Sequence, residues 1–219
     1  RLPIYLLVCL IPKKPNLWVF SSWEGKRFSD NPKYLYKYLQ LNKPEITAVW
    51  VVKNKKLAKE LKQRGIKVVY FLSFKAVLTQ VRAEVAVFTH SKTWDFNSFL
   101  IAGKTLLVQT WHGMPIKKIG FDVSRKPHDS LSRKLRARIF PYKNERFDLF
   151  IASSELDQKI YQRAFNVEPE NVVVTGFPRN DQLLQDSALE EKHSVETIKR
   201  YIYMPTFRGA EYSDFELLS

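Results

Sequence analysis

The segment Gln109 to Asp122, QTWHGMPIKKIGFD, gathers more chemically capable side chains than any other stretch of the 219-residue sequence. An apolar run ends at Thr110 and hands over to Trp111, His112 and Gly113 ahead of a proline. A neutral imidazole can take a proton near neutral pH, which makes His112 a candidate general base. Gly113 permits close approach of a substrate to the backbone, and Pro115 suits a first helical turn. Lys117 and Lys118 add positive charge fit for a phosphate, so the set suits phosphoryl transfer. The same residues also read as a histidine bonded to a neighbouring turn and two lysines on a solvated face.

A second cluster, Thr175 to Asp181 (TGFPRND), follows another apolar run; there Arg179 can meet a phosphate, and Asn180 or Asp181 can cap the next helix. His90 also follows an apolar run and can line the same crevice, although an ordinary structural histidine explains it more simply. His128 and His193 lie in polar surroundings typical of a surface. No GxGxxG fingerprint, Walker loop, CxxC pair or GxSxG elbow is present, which argues against dinucleotide oxidoreductases, P-loop enzymes, zinc sites and serine hydrolases.

These residues need a scaffold, and the hydrophobic pattern supplies an α/β one. Short β-branched or aromatic runs alternate with amphipathic stretches, the mark of a Rossmann-like parallel sheet covered by helices. Strands are expected at Leu17 to Ser21, Ile46 to Val52, Val68 to Leu72, Val85 to Thr89, Thr105 to Thr110, Leu149 to Ser153 and Val172 to Thr175. Asp30-Asn31-Pro32 reads as a cap and first turn of a helix running through Leu41, Asn54 starts another that ends near Gly65, and Ser153 or Ser154 caps a third through Phe165. In such sheets ligands sit outside the carboxyl ends of the strands, where His112 and Arg179 both fall.

Composition bounds the rest. With 45% hydrophobic and 14% aromatic residues the chain can bury a sizeable core, and 36 Lys and Arg against 22 Asp and Glu leave a net charge of +14. That excess favours polyanionic partners: anionic lipid, nucleic acid or a phosphorylated polymer. One cysteine, Cys9, allows no internal disulfide and fits a reducing, cytosolic setting. Between Asp129 and Phe140, Leu131, Leu135 and Ile139 recur every four residues while Arg133, Lys134, Arg136 and Arg138 fill the other positions. This basic amphipathic helix suits an anionic membrane surface; a solvated helix packed by its leucines explains it nearly as well. The apolar run Leu2 to Ile11 is about ten residues long, too short to span a bilayer, and reads either as the tail of a membrane-associated helix or as an ordinary core element. Nucleic acid is not expected, because the basic residues accompany apolar helix spacing and no nucleic-acid motif appears.

Five segments together carry a family resemblance: SSWEGKRFSDNPKYLYKYL (Ser21 to Leu39), QTWHGMPIKKIGFD, ASSELD (Ala152 to Asp157), TGFPRND and YMPTFRG (Tyr203 to Gly209). In their order and spacing they resemble the CDP-glycerol:poly(glycerophosphate) glycerophosphotransferases, enzymes of teichoic-acid-like polymer synthesis. The resemblance implies the N-terminal, acceptor-side half of a GT-B transferase, with no cofactor and no metal, CDP-glycerol as donor substrate and a lipid-linked or poly(glycerol phosphate) acceptor, working peripherally at the cytoplasmic face of the bacterial membrane. It assigns His112 as the base that activates the acceptor hydroxyl and Asp122 as an acid that orients or polarises the site. Trp111, Gly113, Lys117, Lys118, Arg179, Thr206 and Arg208 are the expected substrate-binding residues. Met114 stands where threonine commonly follows WHG, which bears on acceptor specificity.

The expected organisation is a membrane-associated segment at 1–15, a Rossmann-like acceptor-side domain at 16–186, a linker at 187–198 and the start of a donor-binding domain at 199–219. The family's second histidine and Ser/Asp-rich donor motif have no counterpart before Ser219, so these residues alone should bind donor poorly and turn over little. Two other readings stay open: a GT-B transferase using CDP-ribitol or a nucleotide sugar in capsule synthesis, and a non-catalytic module that docks on membrane or polyanion.

Overall fold

The computed structural model describes residues 2–123, 131–144 and 146–184. Seven short strands form one parallel sheet: β1 (Leu17–Phe20), β2 (Thr47–Val52), β3 (Val68–Tyr70), β4 (Val85–Phe88), β5 (Leu106–Gln109), β6 (Leu149–Ala152) and β7 (Val172–Val174). Their order across the sheet is β3-β2-β1-β4-β5-β6-β7, every neighbouring pair parallel. All seven expected strands form, each within a residue or two of its expected bounds. They were legible because a strand buried on both faces is apolar throughout.

Alternate residues of each strand feed two cores on opposite faces. Val19, Val51, Ala86, Phe88, Phe150 and Tyr161 share one cluster, while Phe20, Tyr36, Trp50, Val85 and Val87 share the other. The second is strongly aromatic: the Trp50 ring stacks on Phe20 at 6.2 Å and meets Phe28 edge-on at 4.5 Å. Each fully buried ring of this kind contributes about 1.5–3 kcal/mol.

Seven helices complete the described fold: α1 (Leu2–Leu10), α2 (Asp30–Asn42), α3 (Lys55–Gln63), α4 (Phe74–Arg82), α5 (Lys92–Asp95), α6 (Leu131–Ile139) and α7 (Glu155–Phe165). Asn54 caps α3 by accepting from the amides of Lys56 and Leu57, and Ser154 caps α7 by accepting from Asp157. Asp30 departs from its expected role. It opens α2 with φ +63, a left-handed conformation that Asp tolerates, and its carboxylate turns toward Trp23 and Arg179 rather than capping the second turn. The expected start of α6 at Asp129, the 187–198 linker, the start of a donor-binding domain at 199–219, and Thr206 and Arg208 lie outside the described residues.

The chain winds outward from β1 to β3, returns to place β4 against the other side of β1, and winds outward again. The order therefore reverses between β1 and β4, and the loops leaving β1 and β4 diverge there to open a crevice at the strands' carboxyl ends. His112 leaves β5, the next strand over.

Candidate active site

The crevice is built on a buried carboxylate. Asp95, at the end of α5 and fully buried, accepts from the amides of Glu24 (2.7 Å), Thr89 (3.1 Å) and His90 (2.8 Å). It thereby ties the loop after β1 to the loop after β4. Burial pushes its pKa up, while the three amides, with His90 nearby, oppose that shift. Its own backbone carbonyl accepts from the Ser21 hydroxyl at 3.0 Å, and the Trp23 amide donates to Thr89 Oγ1 at 3.1 Å.

The turn carrying His112 is fastened on every side. Buried Gln109 donates to the His90 carbonyl at 2.8 Å and accepts from the Trp111 amide at 3.0 Å. Buried Asn31, at the start of α2, donates to the carbonyls of Thr110 (2.9 Å) and Trp111 (3.1 Å). Tyr161 of α7 donates its hydroxyl to the Gly113 carbonyl at 3.1 Å. These bonds hold Trp111 at φ +52, a left-handed strain that a non-glycine residue keeps only where its surroundings enforce it.

Among the described residues the His112 ring makes one hydrogen bond, Nδ1 to the Thr89 carbonyl at 3.2 Å. A carbonyl only accepts, so Nδ1 carries the proton and the lone pair resides on Nε2. The ring lies between aromatic planes: His90 stacks on it at 4.6 Å with 12° between planes, Trp111 at 4.2 Å, and Trp23 leans in at 5.8 Å. Burial depresses the His112 pKa below its ordinary 6.5; His90 and Arg179 push the same way, against the Thr89 carbonyl and Asp30. The result is a neutral imidazole at pH 7 with one nitrogen committed to the protein and the other a proton acceptor.

Arg179 arrives from the turn after β7. Its Nη1 donates to Asp30 Oδ1 (2.9 Å) and to the His112 carbonyl (2.8 Å), and its amide donates to Asn31 Oδ1 at 3.3 Å. Asp30 Oδ2 accepts from the Trp23 indole at 3.0 Å. Sequence reasoning had marked Arg179 and His112, and the structure joins them. It had read Asp30 and Asn31 only as a helix start, set His90 aside, and passed over Trp23 and Asp95. Trp23 and His90 do carry a local signal, each standing within three residues of the end of an apolar run, whereas Asp30, Asn31 and Asp95 carry none.

Other expected site residues lie farther out. Gly113 is open: a Cβ there would meet only Arg179 Nη2, at 4.0 Å. Lys117 and Lys118 are exposed. Asp122, expected to orient or polarise the site, is gripped by Arg163 of α7, whose Nε and Nη2 lie 2.8–3.1 Å from its carboxylate oxygens. The role this geometry gives Asp122 is to fasten the 114–123 loop onto α7. On α6 the side chains of Lys134, Arg136 and Arg138 are exposed, and so are Leu131 (82%), Leu135 (56%) and Ile139 (47%), so its leucines do not pack into the core; Arg133 lies on the same helix. No described helix is long and apolar enough to cross a membrane.

Two neighbours of His112, Trp23 and Arg179, also wall a cleft of about 450 Å³ together with Arg27, Ser29, Asp30 and Tyr34. The arrangement can hold an anion while His112 withdraws a proton next to it.

Known proteins resemble this chain over most of its length. The chain is 32% identical over 95% of its length to the teichoic acid glycerol-phosphate transferase of Staphylococcus aureus (strain NCTC 8325 / PS 47), covering 55% of that protein. It is 28% identical, again over 95%, to the teichoic acid poly(glycerol phosphate) polymerase of Bacillus subtilis (strain 168), covering 28% of it. Among solved structures, the wall teichoic acid polymerase TagF superimposes with a TM-score of 0.64 at 26% identity, over 86% of this chain and 46% of that one. The chain thus spans about half or less of these relatives, and its sheet matches one Rossmann-like half of a GT-B architecture. The profile of the CDP-glycerol:poly(glycerophosphate) glycerophosphotransferases matches residues 4–218, and the chain belongs to that family.

Proposed function

We propose that this chain is the acceptor-side part of an enzyme that moves glycerol phosphate from CDP-glycerol to a hydroxyl of a lipid-linked or polymeric acceptor. His112 Nε2 takes the hydroxyl proton as the oxygen attacks the β-phosphorus. The bond from that phosphorus to the pyrophosphate bridging oxygen breaks, CMP leaves with the electron pair, and a glycerol phosphodiester remains. The observation that carries the reading is the commitment of Nδ1–H to the Thr89 carbonyl, which leaves Nε2 unprotonated and available. CDP-glycerol is a substrate here, not a cofactor, and the family resemblance implies transfer without a metal ion, so CMP release should survive EDTA.

The same reading places the protein on the cytoplasmic membrane surface. α1 exposes Leu6 (54%), Leu7 (64%) and Leu10 (81%), and both α1 and α6 pack against the turn at Pro141–Lys143, with Tyr5 and Tyr142 6.2 Å apart. Exposed leucines and the cationic side chains of α6 thus flank one turn, the combination that favours anionic lipid over bulk water.

The discriminating experiment is CMP release by the full-length protein with a membrane acceptor and a panel of donors. Release from CDP-glycerol supports the assignment. Release only from CDP-ribitol, or turnover of a nucleotide sugar, would move the protein to a different donor class, and silence with all donors would leave a binding module.

A further inference from the structure

The cleft walled by Trp23 and Arg179 holds more unspent positive charge than proton transfer requires. Arg179 uses Nη1 on Asp30 and the His112 carbonyl, but its Nε and Nη2 meet no acceptor among the described residues. Those two nitrogens form one edge of the guanidinium, the edge that pairs with two oxygens of a phosphate or carboxylate at once. Nη2 stands 4.0 Å from where a Cβ on Gly113 would be, so the edge lies against the bare glycine that follows the base. Arg27 stacks its guanidinium over the Trp23 ring at 5.2 Å and makes no ion pair among the described residues. Both arginines wall the same cleft, together with Tyr34 and with Ser29, whose Oγ is buried without a partner.

Among the described residues Asp30 is the one carboxylate in that wall, and it is already committed. Oδ1 receives Arg179 and the Asn31 amide, Oδ2 receives the Trp23 indole, and the side chain is 4% exposed. An incoming anion therefore faces two guanidinium groups, one of them neutralised on its far side only.

We propose that this cleft is a phosphodiester subsite for the acceptor: Arg179 Nε and Nη2 grip the non-bridging oxygens of the acceptor's terminal phosphate, Arg27 takes the same or the preceding phosphate, and the terminal hydroxyl is thereby set beside His112. This rests on the transferase reading above and adds to it which side chains hold the acceptor's phosphate. A neutral sugar acceptor would gain nothing from the two arginines. A growing glycerol phosphate chain presents one negative charge per unit to them.

Arg27 is exposed and outside the bonding that holds the turn, so Arg27→Gln should fold normally. Two measurements separate the subsite from the transferase assignment. In the first, the 219-residue protein is titrated with glycerophosphoglycerol, a single phosphodiester with free hydroxyls, and followed by calorimetry or amide chemical shifts. Parent binding should weaken about tenfold in Arg27→Gln and recover in part in Arg27→Lys, while Lys75→Gln, on a separate cleft lined by Lys62 and Lys67, leaves it unchanged. In the second, steady-state CMP release by the full-length protein should show the acceptor KM rising about tenfold in Arg27→Gln with the CDP-glycerol KM unmoved. No binding by the parent, equal weakening by Lys75→Gln, or a shift in donor KM instead would overturn the subsite. An inactive parent that still binds glycerophosphoglycerol through Arg27 would retain the subsite and sink the transferase reading.

Discussion

His112 owes its chemistry to a bond made by the nitrogen that does not react. Fixing Nδ1–H on the Thr89 carbonyl selects the tautomer, and the rings of His90 and Trp111 stack against the imidazole. Two consequences are measurable. Nitrogen shifts of a ring-labelled sample should report the Nδ1–H tautomer at neutral pH and a titration midpoint below 6.5, because burial disfavours the imidazolium. The sign for stability follows: the folded state binds fewer protons at this site than the unfolded chain, so its contribution is complete above pH 6.5 and is lost as pH falls through the unfolded and then the folded pKa. A stability profile that fell on alkalinisation through this window would contradict the assignment. Asn31 acts on the same turn from the far end of the sequence. Asn31→Ala leaves the Thr110 and Trp111 carbonyls without their side-chain donor and should cost about 1–3 kcal/mol in denaturant unfolding.

At the scale of elements, what is legible from sequence and what is not divide along a physical line. The seven strands were readable because burial on both faces writes a continuous apolar run. The His112 turn was readable because polar and aromatic residues break such a run abruptly. Asp30, Asn31 and Asp95 were not, because their partners lie far along the chain: Asn31 meets Thr110 across 79 residues and Arg179 across 148. Only the reversal of strand order between β1 and β4 brings those segments together, and no local periodicity encodes it. Asp122, to which the family resemblance gives a role in the site, has its carboxylate docked on Arg163 of α7. Gly120 marks that same docking. At φ +52, an added Cβ would stand 2.2 Å from the Ala164 carbonyl oxygen, so Gly120→Ala should cost about 2–4 kcal/mol and loosen the loop from α7. Unchanged thermal stability would show that the loop moves freely of the helix.

Taken as a whole, the molecule pairs a crevice at the carboxyl ends of its central strands with a net charge of +14 and an apolar helix partly left in solvent. Those features suit a substrate that is itself a polyanion tethered to a membrane. Replacing Arg136 and Arg138 together by Glu should reduce co-sedimentation with anionic vesicles by roughly an order of magnitude or more, an effect that fades in high salt, since each cation near such a surface contributes about 1 kcal/mol. Binding that persisted unchanged would assign the surface attachment to other elements.

Removal of the acceptor proton by His112 Nε2 is read out by the pH dependence of kcat/KM for CMP release by the full-length protein, beside His112→Ala. The parent should show an acid limb with an apparent pKa below 6.5 and the variant a loss of about 10²–10⁴-fold, with the limb abolished in the residual rate. A variant within a few fold of the parent, or an acid limb that survives the substitution, would show that another group takes the proton.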